Sequence, residues 1–258
     1  MNLLLYLDKN AFMIPLPDLL NKVKKCNWIK GFEVNIDFSN KDEQNYLKNL
    51  ALECKKNDLI LQVHAHIVDQ IIEELTFYHE VSSVYGKTLN MVNHPIASEN
   101  IYLAQEKTNI LFSKILNYIY DNKFNLTLSI ENLNSRANTV RLSKKLLLPI
   151  LSNNEDLCFT YNIGNELRDY GKITDIDKLF MNRINNVHIY TFDYKEIHKP
   201  IVKNDEHINS FIKALSFLKQ NNYKGNLVLD YNFSLLGFNA DERLNNLLEN
   251  AKFISEYI

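Results

Sequence analysis

Glycine is scarce in this chain, with 6 in 258 residues, and cysteine scarcer still, with 3. Cys26, Cys54 and Cys158 are far apart and odd in number, and no CxxC pair occurs. That pattern excludes a zinc ribbon, a dithiol redox motif and a disulfide framework, and reads as buried free thiols in a reducing compartment. No apolar run approaches the roughly 20 residues needed to cross a bilayer. The opening stretch MNLLLYLDKNAF carries no basic segment and its apolar run ends at Asp8, so it reads as a first strand and not as a signal peptide. A cytoplasmic protein with no membrane partner is the expectation. Lysine and arginine are scattered, the net charge is -2 and the pI is near 6.4, which argues against a surface built for nucleic acid.

What is present is a regular alternation of short apolar runs with longer amphipathic ones. Strands are expected at Asn2 to Leu7, Gly31 to Ile36, Leu59 to Ile67, Leu89 to His94, Leu126 to Glu131, Cys158 to Ile163, Val187 to Phe192 and Leu227 to Asp230. The periodicity predicts helices between them, among others over Thr139 to Leu151 and Asp175 to Arg183. Strand–helix alternation implies parallel pairing through crossovers, and eight units without a linker fit one closed (β/α)₈ barrel over residues 1–258. A doubly wound open sheet is the rival, but no GxGxxG follows the first strand. The loop after the seventh strand, Asp193 to Asp205, has no glycine, so a standard phosphate cradle is not expected there.

Side chains alternate faces along a strand, so parity sorts the residues that point to the barrel axis. On that basis Glu33 and Asn35, then Gln62, His64 and His66, then Thr127, Ser129 and Glu131 point inward. Thr160 and Asn162, His188 and Tyr190, and Asp230 complete the set. Five of the seven histidines, His64, His66, His94, His188 and His198, fall at or just beyond strand ends. With Glu131 and Asp230 on the same rim, converging carboxylates would repel one another, and a divalent cation relieves that repulsion. Mixed histidine and carboxylate ligands suit Mn²⁺ or Zn²⁺ better than Ca²⁺.

The strand ends GFEVNI with Glu33, LQVHAH with His64, VNHP with His94, SIEN with Glu131 and NVHIY with His188 resemble those of the xylose-isomerase-like TIM-barrel superfamily. That superfamily holds sugar isomerases, sugar epimerases and the endonuclease-IV-type AP endonucleases. The resemblance implies a metal held by Glu131, Asn162, His188 and Asp230, with His64 and His94 as a further pair. It implies Glu131 and Asp230 as the groups that move a proton, and Glu33, Asn35, His66, Arg136 and Lys199 as residues that bind substrate hydroxyls. The departures are specific. Where the family's sixth strand typically ends in Asp-x-Gly-His, this chain reads Asn162-Ile163-Gly164-Asn165, and the usual eighth-strand Glu is the shorter Asp230. Losing a carboxylate weakens attraction for a dication. Glu196 and His198 stand roughly where the AP endonucleases have an Asp-x-His pair, but Asn165 replaces the histidine a third metal would need.

Three functions follow for testing. The first is a divalent-metal-dependent isomerase or epimerase of a sugar or sugar derivative, working by proton transfer next to a carbonyl. The second is a degenerate barrel that binds a small molecule or partner without catalysis, which the two asparagines would suit. The third is an AP-endonuclease-like phosphodiesterase, for which His64, His94 and Glu131 match the first metal site. The oligomeric state is left open by the sequence, a homo-oligomer included.

Overall fold

The computed structural model describes residues 1–134, 139–174 and 178–258. Eight parallel strands close on themselves in sequence order: β1 (Asn2–Leu7), β2 (Ile29–Val34), β3 (Ile60–Ala65), β4 (Leu89–Asn93), β5 (Leu126–Glu131), β6 (Cys158–Asn162), β7 (Ile184–Ile189) and β8 (Asn226–Leu229). The chain is therefore a (β/α)₈ TIM barrel, and the open-sheet alternative falls because β8 pairs with β1, Leu4 lying opposite Val228.

Helices α1 (Leu16–Val23), α2 (Lys41–Lys56), α3 (Ile71–Tyr85), α4 (Ile101–Asp121), α5 (Leu148–Asn153), α6 (Ile163–Tyr170), α7 (Lys178–Arg183), α8 (Ile208–Gln220) and α9 (Ala240–Ser255) cover the outside. The main apolar core lies between helices and sheet, where Leu3, Leu5, Phe32, Val34, Val63, Leu128, Phe159 and Val187 meet Leu47, Leu75, Phe112, Phe211 and Leu247. Inside the barrel the side chains are unusually polar. Gln62, Ser129, Thr160 and Asn186 are buried there alongside Leu4, Val92 and Val228. A TIM barrel interior is more often filled by branched apolar residues.

Asparagine does much of the local work. Asn40, Asn100, Asn162 and Asn239 each cap a helix with the side-chain oxygen, satisfying amides that the first turn leaves open. Two segments differ from the sequence expectation. The helix expected over Thr139 to Leu151 begins only at α5, preceded by a 3₁₀ turn at Lys144–Leu147. The reason is that Val140 is extended and pairs with Ser98, while Pro149 suits a helix start. Helix α6 was not anticipated: it starts directly at the end of β6 on the Asn162 cap and stops at Gly171, which is left-handed with φ 63°. The helix expected from Asp175 is described only as α7, because residues 175–177 lie outside the described residues.

Gly31 lies opposite Ile60 where β2 pairs with β3. A Cβ built there would lie 1.9 Å from the Ile60 carbonyl oxygen, a backbone atom that cannot turn aside. Gly31→Ala is expected to cost about 3 kcal/mol of stability, the upper part of the range for overpacking. Urea unfolding measures this, and a loss under about 0.5 kcal/mol would mean the strands can part locally.

Candidate active site

A single buried carboxylate organises the C-terminal end of the barrel. Glu33, on β2, is 0% exposed. Its oxygens take a hydrogen bond from Gln62 Nε2 on β3, another from Asn186 Nδ2 at 3.0 Å on β7, and lie 3.0 Å from His64 Nδ1 and 3.1 Å from His188 Nε2. A carboxylate only accepts, so His64 Nδ1 and His188 Nε2 carry the hydrogens. That fixes both rings and turns His64 Nε2 and His188 Nδ1 toward the opposite wall. Tertiary constraint of this kind is how a protein sets which imidazole nitrogen is available.

Facing them is Glu131, the last residue of β5. Its Oε2 lies 3.5 Å from His64 Nε2, 3.4 Å from His94 Nε2 and 3.5 Å from His188 Nδ1. His64 Nε2 and His94 Nε2 are themselves 2.9 Å apart. Beyond His188, Asp230 Oδ2 is 3.7 Å from Nδ1, and His198 Nδ1 is 3.1 Å from the same oxygen. Three sets of ligand-type atoms therefore come within 4.8 Å: Glu33, His64 and His188; His64, His94 and Glu131; and Glu131, His188 and Asp230.

Two buried atoms in this cluster, Glu131 Oε2 and His188 Nδ1, have no hydrogen-bond partner among the described residues. They face each other at 3.5 Å, a protonated imidazole against a carboxylate, and the lone pairs of Oε2 not used by that ion pair are open to a further cation. The donor sets fit a divalent metal. Four ligands at the usual 2.0–2.1 Å on tetrahedral zinc stand about 3.3 Å from one another, close to the triangle of His64, His94 and Glu131. The first set is different in kind, because Glu33 already has its oxygens filled by N–H groups.

Asn162 does not offer its carbonyl oxygen to the cluster. Its Oδ1 accepts from the Asn165 amide at 2.9 Å as the cap of α6, so its Nδ2 is the atom turned inward. That nitrogen donates to Glu131 Oε1 at 2.6 Å and approaches Asp230 Oδ2 at 3.4 Å. Asn165 donates to the Asn132 carbonyl at 3.0 Å and accepts from Tyr190 Oη at 2.7 Å. Gly164 is required here, since a Cβ would lie 2.7 Å from the Tyr190 ring.

No family model matches the sequence, and no curated protein matches it. Solved structures do match the fold. A D-tagatose 3-epimerase-like protein superposes over 98% of this chain and 96% of its own with a TM-score of 0.67 at 16% identity. A D-psicose 3-epimerase crystallised in the presence of D-fructose covers 100% of this chain and 99% of its own, with a TM-score of 0.70 at 12% identity. A xylose isomerase domain protein from Alicyclobacillus acidocaldarius covers 97% and 99%, with a TM-score of 0.63 at 12% identity. The chain shares its barrel fold with these proteins.

Within this barrel the expected site residues separate into three groups. His64, His94, Glu131, His188 and Asp230 come together as described. Asn35 and His66 meet at the rim, Asn35 Nδ2 3.0 Å from His66 Nε2, and both line a cavity of about 920 Å³ beside the cluster. The remaining expectations need correction or fall away. Glu33 is too deeply buried to touch a substrate and serves as the anchor of two histidines. Lys199 is held in an ion pair with Asp193 on the loop after β7, and no hydrogen bond or ion pair joins it to the cluster among the described residues. Arg136 lies outside the described residues.

Residues the sequence did not single out also border the site. Tyr6 on β1 meets the His64 ring edge-on with centroids 5.8 Å apart. Asn186 shares the face of His188 two residues earlier, so strand parity alone would have found it. His198, which the sequence did single out at a strand end and at the position of the AP endonucleases' Asp-x-His pair, also borders the site: its ring packs on Tyr190 with centroids 4.1 Å apart, and its backbone is left-handed with φ 57°.

The charges of this cluster act strongly on one another. Burial opposes ionisation of Glu33, but the charges and hydrogen bonds of His188 and His64 outweigh it and hold the carboxyl at about 2. Glu131 is likewise held low against its burial, chiefly by His188 and then His94. His188 goes the other way: burial would strip its proton, yet Glu33 and Glu131 raise it well above the usual histidine range. His94 is lowered, by burial first. The carboxylates of the cluster are thus ionised at neutral pH and demand positive charge, from protons on imidazole or from a metal ion.

Glu33 gives a test with a definite sign. Its folded-state pKa, about 2, lies below the ordinary 4.5, so its stabilisation is present above pH 4.5 and is lost as pH falls toward 2. In chelator-treated protein, Glu33→Gln should cost about 3 kcal/mol at pH 7, with the gap to wild type closing near pH 2. Urea unfolding across that range checks it, and a gap that does not change with pH would contradict the assignment.

Proposed function

We propose that this chain is a divalent-metal-dependent isomerase or epimerase of a sugar or sugar derivative. The observation that carries the reading is the triangle of His64, His94 and Glu131, whose carboxylate also belongs to the neighbouring set with His188 and Asp230. The likeness in fold to sugar 3-epimerases supports the substrate class. We assign the ion to His64, His94 and Glu131, with Mn²⁺ or Zn²⁺ matching the nitrogen and oxygen donors. Bound there, a dication would polarise the substrate carbonyl and stabilise an enediolate.

The protein's own groups divide the remaining tasks. Glu33 holds His64 so that Nε2 faces the ion. Asn162 Nδ2 holds Glu131 Oε1 and approaches Asp230, keeping the two carboxylates at a set separation despite their like charge. Asp230 and Glu131 move the proton at the carbon beside the carbonyl. His198, hydrogen-bonding distance from Asp230, positions that carboxylate and can pass its proton outward. Asn35 and His66 at the rim meet substrate hydroxyls.

A second reading rests on the same triangle, because it also matches the first metal site of the AP endonucleases that this sequence resembles. The net charge of -2 and the absence of a basic run weigh against a DNA backbone as substrate.

The discriminating experiment is solvent exchange. Protein loaded with Mn²⁺ or Zn²⁺ is incubated in D₂O with D-psicose, D-tagatose, D-fructose and other ketoses and aldoses, and proton NMR follows deuterium entry next to the carbonyl. Exchange is expected with at least one sugar, and Glu131→Gln should slow it by about 10²–10⁴-fold. No exchange with any sugar, alongside metal-dependent nicking of abasic-site DNA, would move the assignment to the phosphodiesterase. Absence of both would leave a binding protein.

A further inference from the structure

The 920 Å³ cavity beside the barrel mouth has an ionisable group in its wall that nothing in the protein neutralises. Glu74, in the first turn of α3, is only 8% exposed, yet it lines the cavity. Its carboxylate makes no hydrogen bond or ion pair with any described residue. Its oxygens open onto the cavity, so desolvation is partial: burial first, then the charge of Glu73, pushes the carboxyl up to about 7.

The rest of the lining has the same sign. Asp8, Asp37, Glu43 and Asp69 also face the cavity, against one cation, Lys9. Three of these four acids are fixed in place by turn amides. Asp8 Oδ1 accepts from Asn10 N at 2.8 Å, Asp37 Oδ1 from Ser39 N at 2.9 Å, and Glu43 Oε2 from Asp37 N at 2.7 Å. Their charge is thus held at the cavity wall without being cancelled. An anionic ligand is repelled by this surface. A metal ion is a poor match too, because among the described residues every set of ligand atoms close enough to hold one lies inside the barrel. Glu74 stands apart from those sets and cannot supply the six or more oxygens a hard dication takes.

We infer that this cavity receives a protonated amine, with Glu74 as its counter-ion, and that the substrate class is an amine-bearing sugar. The inference builds on the proposed function for the reacting end of the molecule. Asn35 and His66 line both the cavity and the rim of the cluster, so one ligand can reach from Glu74 to the strand ends. The cavity is of the size that small-molecule sites commonly have. An ammonium group docked against Glu74 favours its ionised form and makes a charge-assisted hydrogen bond with it.

Calorimetric titration of the full chain at pH 7 with D-glucosamine, N-acetyl-D-glucosamine and D-glucose tests this without requiring turnover. D-glucosamine should bind about tenfold or more tightly than the two uncharged sugars, the scale of one charge-assisted hydrogen bond. Glu74→Gln, which keeps the shape and removes the ionisable carboxyl, should abolish that preference, while Glu74→Asp should keep part of it. Equal binding of all three sugars, or a preference that survives Glu74→Gln, would overturn the inference. Because binding is read directly, a missing deuterium exchange would defeat the proposed reaction and leave this subsite standing. Exchange without amine preference would do the reverse.

Discussion

A negative charge placed at the centre of a barrel has to be met by donors, and Glu33 is met from two directions. Gln62 and His64 reach it from β3, Asn186 and His188 from β7 across the barrel. Leaving such a carboxylate unsolvated would cost several kcal/mol, so these bonds do more than decorate the interior. They tie the histidines of two well-separated strands to one point. Each ring is oriented by its bonded nitrogen, and the other nitrogen is aimed at Glu131. The polar interior, odd for a TIM barrel, thus serves as the support of the site, and Asn226 extends it by donating to Gln62 Oε1 at 2.8 Å.

Asn162 shows what a single amide can do where a carboxylate would be a ligand. Its oxygen is committed to the Asn165 backbone amide by the start of α6, and this decides which end faces the carboxylates. A donor nitrogen between Glu131 and Asp230 does with a partial charge what an ion would do with a full one. In the His64, His94 and Glu131 set, on the other side of Glu131, the imidazole nitrogens face Oε2, and His64 Nε2 and His94 Nε2 share a hydrogen bond of 2.9 Å. The set with Asp230 is thus bridged by the Asn162 amide, while the set with His94 is built from imidazole and carboxylate alone. The two functions share an oxygen pair, since Oε1 of Glu131 is occupied by Asn162 and Oε2 is left over.

Much of this was legible before the structure. Short apolar runs set the eight strands, and β1 and β5 were bounded at Asn2 to Leu7 and Leu126 to Glu131 as found. Period-two parity put Glu33, Gln62, His64, Glu131, Asn162 and His188 on the inner face, because that signal depends only on the pleat. Depth along the axis was not legible. Glu33 and Asn35 have the same parity, yet one is the buried anchor and the other a rim residue. Amide orientation is equally invisible to a pattern: whether Asn162 presents oxygen or nitrogen depends on the helix that begins after it, and that helix was not foreseen. Glu74 sits in an ordinary-looking helical first turn, and only the packing of α3 against the loops of β1 and β2 gives its carboxylate a cavity to face.

The central claim is that one divalent ion is held by His64, His94 and Glu131, with Asn162 serving as a donor to the carboxylates. Crystals grown with Mn²⁺ or Zn²⁺, with anomalous scattering recorded at the metal edge, test it directly. The account predicts one strong peak about 2.0–2.2 Å from His64 Nε2, His94 Nε2 and a Glu131 oxygen, with Asn162 still capping α6. A peak coordinated by the Asn162 oxygen together with His188 and Asp230, or no peak in metal-soaked crystals, would contradict it.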